Sequence, residues 1–386
     1  MRYLTAGESH GKGLFAMIEG FPAGLTVEAA TINEQLKRRQ MGYGRGGRMK
    51  IESDTVDFLS GIRWGKTLGS PITLAVWNND HKNWTEMMHA SAEHKQPDRA
   101  VTRPRPGHAD LGGCLKRNLR DVRDVLERSS ARETAARVAF GALCKTFLAT
   151  FGITVQSYLI RLGELECPKN GADVAAEEIN AIADQSIVRF LDSSYDEAAR
   201  EYVDKTRAAG DTLGGIFEVI IHGVPAGIGD YAFYDRKLDA KLAQNLMSLQ
   251  AVKGVEVGMG FGVAAVPGSQ VHDAITYEDG QFTRTTNRAG GIEGGMSNGM
   301  PIVVRVAKKP IPTLYNPLPS VDIETKMPFK ATIERSDVTA VPAASIIGEA
   351  ICAIVITELM LEKFGGDSMS EIQRNYAGYC EQIRTF

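Results

Sequence analysis

The sequence predicts an α+β protein, a β-α-β sandwich of two halves related by a pseudo-twofold axis with apolar helices at its centre. Three observations predict it. The chain repeats its own motifs in order, β-branched runs stand at matching places in the two copies, and each copy closes on a helix that is apolar on all sides.

The repeat is visible in three places. Phe15 to Leu25 (FAMIEGFPAGL) and Phe217 to Ile228 (FEVIIHGVPAGI) share a strand that enters the same Gly-x-Pro-Ala-Gly turn, where Pro fixes φ and Gly permits positive φ. Gly61-Ile62, Gly65, Gly69, Pro71-Ile72 and Val76 recur 230 positions later as Gly291-Ile292, Gly295, Gly299, Pro301-Ile302 and Val306. Glu127-Arg128-Ser129 returns 207 positions later as Glu334-Arg335-Ser336, and Gly141 and Gly348 keep that displacement. The halves are therefore 14–150 and 216–364 of a single domain spanning 1–386, and 151–215 is an insertion between them.

Within each half the turn leads to a helix, 28–40 in the first and 235–250 in the second. Strands follow, ending in Ile72 to Val76 and Ile302 to Val306, whose β-branched residues favour sheet. The closing helices, Thr134 to Phe151 and Ala343 to Phe364, mix small residues with Leu, Ile, Val and Phe. A helix apolar all round is a buried one, which places this pair at the centre. The insertion opens with a strand at Ile153 to Leu162 and continues as an acidic helical excursion.

Charge is distributed unevenly. The net charge is −3, which argues against a surface that grips nucleic acid as a whole. Residues 1–50 carry eight Lys/Arg against four Asp/Glu, and residues 99–137 carry ten against five. Residues 164–204 hold eleven acids against three bases and read as a solvated peripheral segment. The glycine-punctuated basic stretches suit a compact, highly charged anion. Five widely spaced cysteines without a C-x-x-C pair favour neither a disulfide framework nor a zinc site. The opening residues show no basic start before a long apolar run, so the expected location is cytoplasmic, without a membrane anchor.

Two glycine-rich loops fail as nucleotide motifs. Gly7-Glu8-Ser9-His10-Gly11-Lys12-Gly13 is one residue short of a phosphate loop and has Gly13 where a magnesium-binding hydroxyl belongs. Gly42-x-Gly44-x-Gly46-Gly47 follows a helix, whereas a dinucleotide fingerprint follows a strand. Lys37, Arg38 and Arg39 with Arg45 and Arg48 read equally as a charged helix end. Arg103-Pro104-Arg105-Pro106-Gly107-His108-Ala109-Asp110 is more informative, because its alternating prolines stiffen a loop presenting Arg105 and His108. In both Glu-Arg-Ser copies the serines Ser129, Ser130 and Ser336 precede a long helix, in N-cap position, where helix termini favour anions. Asp337 stands where the first copy has Ser130, and its plainest reading is a capping aspartate. His81, His89 and His94 lie in a polar loop without metal-ligand spacing, so no metal is expected.

These segments resemble the chorismate synthase family along nearly the whole chain. The resemblance rests on TAGESHG at 5–11, RGGRM at 45–49, GSPI at 69–72, RPRPGHAD at 103–110, RSSARET at 128–134, GGI at 290–292, KPIPT at 309–313 and RSD at 335–337. It implies a homotetramer of β-α-β sandwich subunits that eliminate phosphate from 5-enolpyruvylshikimate 3-phosphate, with reduced FMN as cofactor. It implies FMN contacts from Arg128, Ser129, Ser130, Gln250, Ala251, Gly294 or Gly295, Lys309, Pro310, Ile311, Pro312, Thr313 and Arg335. It places Ser9, Arg39, Arg45, Arg48, Arg105 and Arg132 around the substrate, and links Arg39 and Arg45 to NADPH in members that reduce their own flavin. His10 and His108 become the catalytic acids, and Asp337 assists proton removal. A substrate with a phosphate and two carboxylates explains the arginines, whose permanent charge and forked donors match such groups. Two other readings stay open at this stage: an NADPH-dependent flavin reductase without lyase activity, and a nucleic-acid-binding module on the basic loops. The second needs interleaved exposed aromatics, and only Tyr43 lies among Arg38 to Arg48.

Overall fold

The computed structural model describes residues 1–47, 51–278 and 280–386, so Arg48 lies outside the described residues. The first half contains strands β1 (Arg2–Ala6) and β2 (Gly13–Glu19), helix α1 (Ala29–Gln40), strands β3 (Val56–Ser60), β4 (Ile62–Arg63), β5 (Lys66–Thr67) and β6 (Ile72–Trp77), and helices α2 (Asp110–Arg117), α3 (Val122–Ser129) and α4 (Thr134–Ala149). The insertion carries β7 (Thr154–Leu162), β8 (Leu165–Glu166), α5 (Ile179–Ala183) and α6 (Asp196–Ala208). Next come β9 (Gly215–His222), α7 (Leu238–Met247), β10 (Val252–Val257), the hairpins β11 (Ile275–Glu278)/β12 (Gln281–Arg284) and β13 (Ile292–Glu293)/β14 (Met296–Ser297), and β15 (Ile302–Lys308). A short hairpin β16 (Pro319–Val321)/β17 (Pro328–Lys330) precedes α8 (Val341–Phe364) and α9 (Met369–Arg384).

The protein is α+β, with two antiparallel sheets ordered β1-β2-β6-β3 and β10-β15-β9-β7-β8. Their shared part is informative. The run β2-β6-β3 in one sheet corresponds to β9-β15-β10 in the other, and Ile18 pairs with Ile72 as Ile221 pairs with Ile302. The displacement of 230 carries β4, β5 and the start of β6 onto β13, β14 and the start of β15. Gly61 and Gly291 take positive φ of 79° and 77°, and a Cβ there would stand 2.7 Å from the Pro71 carbonyl oxygen and 2.5 Å from that of Pro301. Only glycine fits so close an approach at positive φ.

Helix α4 packs on β2 and β6, α8 packs on β7 and β9, and the two helices pack on each other. Alternation explains the sheet contacts: Leu14, Ala16 and Ile18 of β2 and Ile302, Val304 and Val306 of β15 face inward and are buried. Helix α8 has the length and composition of a membrane span, with mean hydropathy 2.0, yet 89% of that window is buried within the protein. Gly141 lets the helices approach, since a Cβ there would come within 2.3 Å of Ala350 Cβ and 2.5 Å of its Cα. Gly141→Ala is therefore expected to destabilise the protein by about 1–3 kcal/mol through overpacking, although alanine favours an isolated helix by about 1 kcal/mol. Denaturant unfolding checks the sign; a stabilised variant would show that the helix contact is not close-packed.

The sequence reading needs correction in the insertion. Strand β7 joins the second sheet beside β9, and Ile179, Ala183, Val188, Phe190, Leu191, Ala199 and Val203 are buried. The acidic stretch is thus half structural: buried apolar residues of α5, α6 and the segment between them are interspersed with the acids, and charge counting alone does not register them. Asp184 and Arg189 from this stretch enter a buried ion cluster around Glu349 of α8. The helix expected at 235–250 is shorter, a 3₁₀ turn at Tyr234–Arg236 leading into α7. All five cysteines are free, four of them buried.

Candidate active site

A cavity of about 510 Å³ opens where the loops before β2, after α1 and before α2 meet the segments following β15 and preceding α8. Ser9, His10, Arg39, Arg45, Arg105, His108, Ser129, Ser130, Arg132, Gln250, Ala251, Lys309, Ile311, Pro312, Thr313, Arg335 and Asp337 all line it. Four expected residues do not. Arg128 turns to the β1 end and donates to the carbonyls of Thr5 and Gly7 at 2.8 and 3.1 Å. Gly294 and Gly295 form the β13–β14 turn, and Pro310 is absent from the lining.

Each histidine is backed by a carboxylate. His10 follows β1, and its backbone N–H and Nδ1 both meet Glu127 of α3 at 2.7 Å, while its ring lies 3.9 Å from that of Trp84. Burial alone would raise the Glu127 carboxyl, but the His10 hydrogen bonds and the Arg123 charge outweigh it and hold it below the ordinary range. An ionised Glu127 can accept from Nδ1–H, which leaves Nε2 as the ring nitrogen that Glu127 does not hold. His108 Nδ1 makes a short contact with Asp110, the first residue of α2. Burial raises Asp110 too, but bonds from His108 and Arg105 hold it far below the usual carboxylate range. Arg105 reaches Asp110 through Nε at 2.9 Å and Thr313 Oγ1 through Nη1 at 2.7 Å. The loop brings both Arg105 and His108 to the cavity lining, with the Arg105 side chain buried.

The cationic wall is compressed. Arg132 donates to both oxygens of Asp54 at 2.6 and 2.7 Å and to Asn78 at 2.9 Å. Arg39 shares Asp54 at 3.3 Å and donates to Thr134 Oγ1 at 3.1 Å. Burial, only partly offset by Asp54, brings the Arg39 guanidinium down to about 10. Lys308 ends the inward face of β15 and donates to the Gln250 carbonyl at 2.8 Å. Burial first, then the neighbouring charges of Lys309 and Arg45, bring it down to about 8. A cluster of cations held below their ordinary values is stabilised by an arriving anion.

The serines do not cap the long helices. Ser129 is the last residue of α3, Ser130 accepts from the Arg132 N–H at 3.3 Å in a 3₁₀ turn, and α4 starts only at Thr134 without a side-chain cap. Helix α8 starts at Val341, so Ser336 and Asp337 lie too far upstream to cap it. Asp337 instead accepts from the Gly46 N–H at 2.6 Å and pairs with Arg45 Nε at 3.3 Å. The capping reading of Asp337 is overturned, because three more residues intervene before the helix begins and Ala340 stands at its N-cap. Among the described residues no three His, Cys, Asp or Glu side chains are grouped to hold a metal ion.

Sequence reasoning missed Glu127, Asp110, Asp54 and Lys308. Glu127 and Asp110 stood inside quoted motifs, and the in-out alternation of Ile302 to Val306 continues to Lys308. Asp54 had no such signal, since only the fold brings it between Arg39 and Arg132.

Fold and site together define an α+β enzyme whose cavity is lined by several arginines and lysines and by two carboxylate-backed histidines. The family profile described as chorismate synthase matches residues 1–361. Chorismate synthase from Geobacter metallireducens is 53% identical with each chain covered in full, and that from Aquifex aeolicus is 52% identical over 100% of this chain and 99% of its own. A crystal structure of chorismate synthase aligns at 42% identity with a TM-score of 0.81, covering 100% of this chain and 98% of that one. The chain belongs to the chorismate synthase family, and its activity is that of a carbon–oxygen lyase in aromatic biosynthesis.

Proposed function

We propose that the cavity holds reduced FMN and 5-enolpyruvylshikimate 3-phosphate together and eliminates phosphate to leave chorismate. The observation that carries this is the convergence of Arg39, Arg45, Arg105, Arg132, Arg335, Lys308 and Lys309 with His10 and His108 on one cavity. The donor set suits FMN. Among the described residues the buried Ser129 hydroxyl and Gln250 amide oxygen have no hydrogen-bond partner, Lys309 and Arg335 offer charge to a phosphate, and Ala340, Ala343, Ala344 and Ile347 form an apolar wall for a flat ring. Reduced flavin, when bound, supplies electron density that weakens the C–O bond and a ring nitrogen that carries a proton.

The protein's own contributions follow from chemistry. The arginines offset the phosphate and carboxylates in a site where water is scarce. With the cofactor and substrate held there, His10 would protonate the departing phosphate, His108 would hold a proton for the flavin, and Asp337 would accept a proton. Arg39 and Arg45 also serve NADPH if the enzyme reduces its own flavin. Nothing in this arrangement needs a metal or a nucleic acid. A reductase without lyase activity has no use for the Arg105–His108 loop, and the family is a lyase.

Two halves, 14–150 and 216–364 with 151–215 inserted, form one domain in a β-α-β sandwich; the matching strand orders and the α4–α8 contact support this. A cytoplasmic homotetramer is proposed as well, supported by the exposed Tyr231, Phe233, Tyr234, Phe261 and Phe282, apolar side chains that partner subunits would cover.

The test is an anaerobic single-turnover assay with chemically reduced FMN on the wild type and Asp337→Asn, repeated with oxidised FMN and NADPH to find the source of reduction. An amide keeps the Gly46 bond but cannot take a proton, so turnover at saturating substrate should fall at least about tenfold with flavin still bound. A rise in KM alone would reduce Asp337 to a partner of Arg45, and unaltered kinetics would remove it from the mechanism.

A further inference from the structure

The loop joining α1 to the cavity wall is fastened at both sides. On the insertion side, the Tyr43 hydroxyl donates to the Asp204 carboxylate of α6, 2.9 Å from each oxygen. The Tyr43 ring lies 4.8 Å from the Arg200 guanidinium and 5.6 Å from that of Arg207, both on α6. Arg207 also pairs with Asp204, and the Tyr43 N–H donates to the Ile187 carbonyl at 2.7 Å. On the cavity side, the Gly44 carbonyl accepts from the Val338 N–H at 2.8 Å, and Asp337 accepts from Gly46. Between these two fastenings stands Arg45, paired with Asp337 in the cavity lining. The fit is close: a Cβ on Gly44 would stand 3.0 Å from Val203 of α6 and 3.1 Å from Thr339.

We propose that Tyr43 is a positioning residue for the reaction, and that its latch on Asp204 makes the insertion the brace that sets Arg45 beside Asp337. The physical case is one of leverage. One residue, Gly44, separates the latch from Arg45, so freeing the tyrosine releases φ and ψ at the residue best able to turn. A guanidinium that must be held to within a fraction of an ångström loses its contribution when its loop wanders. Arg200 and Arg207 favour the electron-rich phenol ring, and the hydroxyl fixes the ring's rotation between them. Nothing in the latch touches the cavity, so flavin affinity is not at stake.

This rests on reading Arg45 as a substrate contact, and the experiment separates the two. Substrate and FMN affinities, kcat and thermal midpoint are measured for Arg45→Ala, Tyr43→Phe, Asp204→Asn and the Tyr43→Phe/Asp204→Asn pair in the full-length enzyme. The expected result is a substrate KM raised about fivefold in Tyr43→Phe and in Asp204→Asn, the yield of one net hydrogen bond, with FMN affinity kept. The double variant should do no worse than either single one, since both break the same bond. Amide exchange at Gly44 and Gly46 should quicken in step. If Arg45→Ala itself leaves substrate affinity unchanged, the reading of Arg45 fails. If Arg45→Ala weakens substrate but Tyr43→Phe does not, or if the two latch variants add, the latch is overturned. A fall in thermal midpoint accompanied by equal losses in FMN and substrate affinity also overturns it, in favour of a purely structural tie.

Discussion

His10→Ala is expected to lower kcat by about 10²–10⁴-fold, the usual contribution of a positioned general acid, while flavin and substrate still bind. The geometry carries this. Glu127 holds the imidazole through Nδ1 and through the His10 backbone N–H, so the ring is fixed in one tautomer before substrate arrives. Glu127 is itself held below its ordinary value, with burial opposed by the His10 bonds. For a carboxyl lowered in this way, the contribution to stability is fully present above its unfolded value and is lost as pH falls through the folded one. The Glu127 carboxylate is therefore ionised at neutral pH, and its contribution is lost only in acid. His108→Ala should behave similarly through Asp110. Single-turnover kinetics on the folded variants between about pH 6 and pH 8 decide the matter. A His10→Ala enzyme that folds and turns over at the wild-type rate across that range has no use for His10 as an acid.

Much of this was legible beforehand because periodicity and repetition survive in sequence. The displacement of 230 lands on matching hairpins and strands, and Gly141 marks the place where α4 meets Ala350 of α8. Seventeen of the resembled site positions converge on one cavity. What sequence could not carry were relations set by three-dimensional closure. The serines beside the Glu-Arg pairs sit before helices in the sequence, yet both helices begin several residues later. The acidic stretch read as periphery because its net charge is large, but α6 buries one apolar face, with Ala199 and Val203, and uses Asp204 as a tie. Asp54 stands between Arg39 and Arg132 only after residues far apart in the chain have met.

The largest stability effect is expected at Glu349, an ionisable residue in the middle of the apolar α8. It is fully buried and accepts from Arg38 at 2.9 and 3.1 Å, from Lys145 at 2.5 Å and from Ser157 at 2.7 Å, with Arg189 at 3.4 Å. Burial raises the Glu349 carboxyl, but the Arg38 and Lys145 charges outweigh it and leave it far below the usual range. The sign is that of Glu127: its stabilisation is complete above the unfolded value and is lost only as pH falls through the lowered one. Burial brings Arg189 down to about 9 and lowers Lys145 even with Glu349 present. Glu349→Gln removes the charge that keeps these cations tolerable in the core and should cost about 3–5 kcal/mol of unfolding free energy, as breaking a buried pair does. Adding Lys145→Met should recover part of that loss, because one cation then no longer needs a counter-charge. Denaturant titration of the two variants is the measurement. A Glu349→Gln loss within about 1 kcal/mol, the range of an exposed pair, or a double variant weaker than the single one, would show that the cluster is not held together by its central carboxylate.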